Sequence, residues 1–196
     1  MKNIIGLVFV ILLISCSKQE EEINTDIAYR NLEPNVVVTD SFLIDINTDG
    51  EMDVMFFVEK DFQGYSPTGE STYNYFSRCI AKNSNVSVSA GTRISTSQNK
   101  WNCLQYESYV SSQITWLQKL TFNGKIIGAD DVGIWDINPS YDFIGVKIEN
   151  GTKSYYGWVR LVTSFDTVSD NGYTITVGEY AYMISNNIVI RAGQIE

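Results

Sequence analysis

The densest chemistry in the chain lies in one run, Asp45-Ile46-Asn47-Thr48-Asp49-Gly50-Glu51-Met52-Asp53. Oxygen-bearing residues recur at every second position, so a backbone curled around a hard cation can turn them all inward. Asp45, Asn47 and Asp49 stand at positions 1, 3 and 5, the carbonyl of Glu51 serves at position 7, and Asp53 closes at position 9. Gly50, at position 6, permits the sharp turn that such a loop needs. The spacing predicts a structural calcium ion, bound with a dissociation constant on the order of 10⁻⁴–10⁻³ M as in extracellular modules. The competing reading is an acidic β-turn held by Asx hydrogen bonds without metal. An EF-hand is excluded, because Phe56 stands where its bidentate glutamate would be.

Other chemistry is sparse. The 196 residues include no histidine, which removes Ser-His-Asp triads, imidazole proton shuttles and imidazole metal ligands. General acid–base work would fall to carboxylates. Asp130-Asp131 followed by Trp135-Asp136 could supply the acidic pair beside an aromatic that glycoside hydrolysis requires. Adjacent aspartates in a loop are more often solvated turn residues, and the chain is read as a binder rather than an enzyme. Trp101, Tyr155 and Tyr156 are the candidate aromatic platform for sugar rings, and Trp158 with Val146, Ile148 and Leu161 reads as core. Cys79 and Cys103 could close a 25-residue disulfide loop worth roughly 3.5 kcal/mol, or remain two buried thiols.

These residues need strands to position them. Short runs rich in Val, Ile, Thr, Tyr and Phe alternate with Asn, Asp, Gly and Ser. Expected strands are 36–45, 54–59, 72–81, 86–90, 114–122, 143–148, 155–163, 173–182 and 188–192. Asn123-Gly124, Asn150-Gly151 and Asn171-Gly172 read as hairpin turns. Residues 104–120 carry both a helical and an alternating pattern. The fold class is therefore all-β, a single β-sandwich-like domain over residues 34–196, preceded by a polar linker over 16–33.

Charge and the amino terminus set the address. Lys and Arg number 14 against 23 Asp and Glu, a formal charge of -9, which argues against nucleic acid. Lys2 is followed by an apolar stretch from Ile4 to Ile14, too short to span a bilayer but suited to a signal-peptide core. The stretch ends in Leu13-Ile14-Ser15-Cys16, which resembles the bacterial lipobox. That resemblance implies cleavage after residue 15, lipidation of Cys16 with palmitate among its acyl chains, and a membrane anchor. Ser17 after the cysteine resembles outer-membrane lipoproteins, and the run Glu20-Glu21-Glu22 resembles export tags of surface lipoproteins in the Bacteroidetes group. The implied location is the outer membrane, at the cell surface or facing the periplasm.

Two further resemblances concern the domain. The aspartate run is similar to the calcium loops of dockerins, thrombospondin repeats and integrin-type propeller repeats. From Phe143 the chain runs through Tyr156-Gly157-Trp158-Val159-Arg160-Leu161, then Glu179-Tyr180-Ala181-Tyr182 and Ile190-Arg191-Ala192-Gly193. This order resembles a recurrent ending of secreted bacterial β-proteins without assigned activity, and so implies fold and export only. Asp166-Thr167-Val168 resembles a Bacteroidetes O-glycosylation tripeptide, or is a plain loop. The function expected is a calcium-stabilised β-domain that binds glycan or protein; a carboxylate-dependent glycosidase and a purely structural envelope lipoprotein are the alternatives.

Overall fold

The computed structural model describes residues 26–90, 92–95, 100–102, 104–125, 132–133, 142–165 and 172–196. Cys16, the signal segment, Cys103, Asp130, Asp131, Trp135, Asp136 and residues 166–168 lie outside that range, as does the Trp101 side chain. The described residues form strands and no helix. In chain order these are β1 (Ile27–Val38), β2 (Ser41–Ile44), β3 (Val54–Tyr65), β4 (Ser71–Ala81), β5 (Val86–Ser89), β6 (Thr92–Ser95) and β7 (Lys100–Asn102). There follow β8 (Tyr109–Val110), β9 (Lys119–Lys125), β10 (Val132–Gly133), β11 (Asp142–Asn150), β12 (Lys153–Phe165), β13 (Tyr173–Met183) and β14 (Ile190–Arg191).

Two five-stranded antiparallel sheets carry the architecture, ordered β1-β13-β12-β11-β5 and β10-β9-β4-β3-β2. Their facing sides alternate apolar residues at period two. Val54, Phe56 and Val58 on β3 meet Ile144, Val146 and Ile148 on β11 and Val159 and Leu161 on β12 in one buried cluster. Phe56 stacks near Phe122 at 6.3 Å across the second sheet. This is the expected β-sandwich.

The first sheet is buried on its outer side too. Tyr156, Trp158, Phe143, Ala181 and Met183 form a second cluster under Leu104, Val110, Ile190 and Ala192. Trp158 therefore packs away from Val146, Ile148 and Leu161, because its strand neighbours alternate across the sheet. Its indole Nε1 donates to the Gln194 carbonyl at 3.1 Å, and its ring meets Phe143 edge-on at 5.4 Å. Gly145 leaves room for this cover, since a Cβ there would sit 3.1 Å from Val110 and 3.3 Å from Trp116.

Several expectations need correction. The domain begins before residue 34: the stretch read as linker joins the sheet from Ile27, pairing with Met183. Asn123-Gly124 is not a turn but the middle of β9, flanked by β4 and β10. Residues 111–118 form turns, with Leu117 bridged to Val88, and β9 starts only at Lys119. The Asn150-Gly151 hairpin holds with a one-residue shift: Asn150 pairs with Lys153, and Gly151 takes the positive φ of 62°.

Candidate functional site

The aspartate run joins β2 to β3 as a nine-residue loop closed by the Ile44–Val54 pair. Ile46 is buried in the core and anchors it. Thr48 and Gly50 turn the chain with φ of 59° and 94°. Both Asp45 carboxylate oxygens accept backbone N–H groups, from Asp49 at 3.2 Å and Gly50 at 2.8 Å. Asn47 Oδ1 accepts from Asp49 N–H at 3.0 Å, and Asp49 Oδ1 accepts from Glu51 N–H at 2.8 Å. Asn47 Nδ2 donates to Asp49 Oδ2 at 2.9 Å. Asp45, Asn47 and Asp49 thus share one turn, as their alternate spacing demands.

Asp53 behaves differently. Its side chain is 2% exposed, and Oδ2 accepts the Ile46 N–H at 2.8 Å, so it closes the base of the loop from inside. Burial pushes its carboxyl up to about 6; the N–H groups of Ile46 and Asn47 oppose the shift, and Asp49 and Asp45 add to it. Among the described residues, no three His, Cys, Asp or Glu side chains gather as a metal-ligand group. The donors nevertheless suit a hard cation in kind: Asp45, Asp49, Glu51 and Asp53 carry four negative charges with no ion-pair partner among the described residues.

The loop also forms one wall of a cavity of about 520 Å³. Asn47 and Asp49 line it from the loop, Asn85 from the β4–β5 turn, and Glu149, Asn150 and Tyr155 from the β11–β12 hairpin. Tyr182, on β13, completes it, and its hydroxyl donates to the Asn47 carbonyl at 3.1 Å. Two sequence-level candidates, the aspartate loop and Tyr155, therefore meet in one cleft. Tyr156 does not join them. Alternation turns it to the other side of the sheet, where it is buried against Trp116 at 6.0 Å, which removes it as a sugar platform.

Cys79 carries a free thiol with no exposure, set on β4 between Phe56 and Leu120 of the neighbouring strands. Burial pushes the thiol well above its ordinary value, and the small-hydrophobe reading describes this residue. Cys103, its expected disulfide partner, lies outside the described residues. Tyr182, Asn85 and Asn150 escaped sequence reading as site residues. The hairpin signal at Asn150-Gly151 placed Tyr155, but the meeting of three separate connections with β13 is a property of the packed sheets. No family model, curated protein or solved structure matches the chain.

Proposed function

We propose that the chain is an outer-membrane lipoprotein, anchored through Cys16, whose β-sandwich binds glycan in the cleft beside the aspartate loop. The cleft carries this reading. Its volume of about 520 Å³ lies within the range of small-molecule sites. The Tyr155 and Tyr182 rings offer apolar faces to pyranose C–H groups, while Asn47, Asn85 and Asn150 offer amides to hydroxyls. Calcium is the proposed structural ion, with Asp45, Asn47, Asp49, the Glu51 carbonyl and Asp53 as its donors. It would supply positive charge to the loop. Because Asn47 and Asp49 line the cleft, fixing the loop also fixes a wall of the binding site.

A glycan array probed with the full chain in detergent, with and without millimolar calcium, tests the reading. Tyr155→Ala and the exposed Asn85→Ala should each lose the captured glycan, and chelation should weaken it. A blank array, or capture untouched by both substitutions, overturns the glycan reading.

A further inference from the structure

At the other end of β3 the sheet narrows to an arm. Among the described residues, β2 covers β3 over Ser41–Ile44, opposite Val54–Phe57, and β9 covers β4 from Tyr75 to Ile80. Beyond those limits, among the described residues, β3 and β4 pair only with each other, through Phe62–Tyr73, Gly64–Thr72 and Tyr65–Ser71. The side of β3 that holds Phe56 and Val58 in the core continues here as Lys60 and Phe62, with Tyr75 and Tyr73 opposite them. Four rings run along this face: Tyr65 to Phe62 at 5.4 Å, Phe62 to Tyr73 at 5.6 Å, and Tyr73 to Tyr75 at 6.3 Å. Phe62 is 50% exposed and Tyr65 73% exposed, so the outer half of the ladder faces solvent.

One cation lies along this ladder. Lys60 Nζ lies 4.3 Å from the Tyr73 ring centroid and 5.7 Å from that of Tyr75. In a chain of net charge -9, it has no carboxylate partner among the described residues. Asp61, its neighbour, points to the opposite side and is engaged by Gln63 Nε2 at 2.9 Å. A cation among exposed rings suits a ligand with apolar faces and negative charge.

The placement selects between a membrane and a soluble polymer. The segment before Ile27 joins the domain beside Met183, and the neighbouring Tyr182 reaches the aspartate loop. The arm starts at the opposite end, where Val58 N–H bonds the Asp40 carbonyl at 3.1 Å just past the end of β1. Eight residue steps along β3 from Val54 to Phe62 put the ladder about 26 Å from the loop. The rings therefore stand at the end away from the point where the chain enters.

We propose that the ladder Tyr65-Phe62-Tyr73-Tyr75 with Lys60 is a second binding site, for an acidic polysaccharide. Its sugar rings stack on Phe62 and Tyr65, and its carboxylates pair with the Lys60 ammonium. The site does not depend on the cleft. Calorimetric titration of the full chain in detergent with polygalacturonate oligomers, and with neutral galactan of equal length, tests it. The acidic chain should bind at least tenfold tighter than the neutral one, and binding should weaken with salt. Phe62→Ala with Tyr65→Ala should weaken it about tenfold. Lys60→Gln should remove the preference for the acidic chain. Both rings are exposed, so an unchanged melting temperature shows that the arm variant folds. That variant should keep any array signal that belongs to the cleft, so one reading can fail without the other. No binding of polygalacturonate, an arm variant that binds like the native chain, or capture of phosphatidylglycerol vesicles in place of the polysaccharide overturns the proposal.

Discussion

Two carboxylates respond to pH in opposite senses. Glu179 on β13 accepts from Tyr29 Oη and from Arg160 Nη1, each at 2.6 Å. Burial works against its charge, but the two hydrogen bonds and the guanidinium together outweigh it and hold the carboxyl below 4.5. The same hydrogen bond from Tyr29, aided by burial, pushes that phenol up to about 12. A lowered carboxylate stabilises the fold above its ordinary value and stops doing so as pH falls through the lowered one. A raised phenol stabilises below pH 10 and is lost as pH climbs through 12. Tyr29→Phe should therefore cost about 1 kcal/mol in urea unfolding at pH 7, with the difference shrinking once acid protonates Glu179. Asp53 runs the other way. Its raised carboxyl binds a proton more readily when folded, so calcium-free stability should fall as pH rises from 3.8 to about 6 and level off above. The drop is on the order of 3 kcal/mol. Asp53→Asn keeps an acceptor for the Ile46 N–H and should flatten that slope in chelator; an equal slope in both proteins would count against a buried, uncompensated Asp53.

Strands show how far local pattern carries. β4, β5, β11, β12 and β13 fall where alternation and turn residues put them, because both ends of each run are marked and one face is continuously apolar. The first half of β1, residues 27–33, reads as linker because it lies on an edge strand with one paired side and stays half-buried or exposed. Pro34 sits in the irregular step between Asn31 and Val36, where no ladder N–H is needed. Asn123-Gly124 misleads for the opposite reason: a good turn pair is held straight by strands on both sides. The loop of Asp45–Asp53 was legible as a turn of alternating oxygens, whereas the inward rotation of Asp53 follows from Ile46 sinking into the core. The covered outer face was invisible, since it depends on chain segments 104–117 and 188–194 returning to the same sheet. Trp158 is the pin of that cover, with no exposure and a bond to Gln194. Trp158→Ala should cost about 3–5 kcal/mol and expose apolar surface to a hydrophobic dye, while the inter-sheet cluster, on the other side, keeps its strand signal in circular dichroism.

At the scale of the molecule, the acid excess concentrates strain at one end. The chain carries 23 acidic against 14 basic residues, and four of the acids fall within the nine-residue loop. Repulsion there is relieved in part by the N–H groups that Asp45, Asn47 and Asp49 collect, but hydrogen bonds leave the net charge in place. A divalent cation would offset half of it and tie the start of β3 to the cleft wall. With a dissociation constant near 1 mM, 10 mM calcium adds about 1.4 kcal/mol of stability. For a domain of this size that is a rise of roughly 3–6 °C in melting temperature. General screening predicts a smaller rise that sodium chloride of equal ionic strength reproduces. Site binding predicts a rise that sodium does not reproduce, that chelator reverses, and that Asp45→Asn with Asp49→Asn abolishes. The same ion should turn the acid slope of Asp53 around, because a bound cation favours its charged form and stability then falls on acidification instead of rising. Melting curves at pH 5 and pH 7, with calcium and with chelator, measure both effects in one experiment. Equal melting temperatures across all four conditions would leave the loop an acidic turn and nothing more.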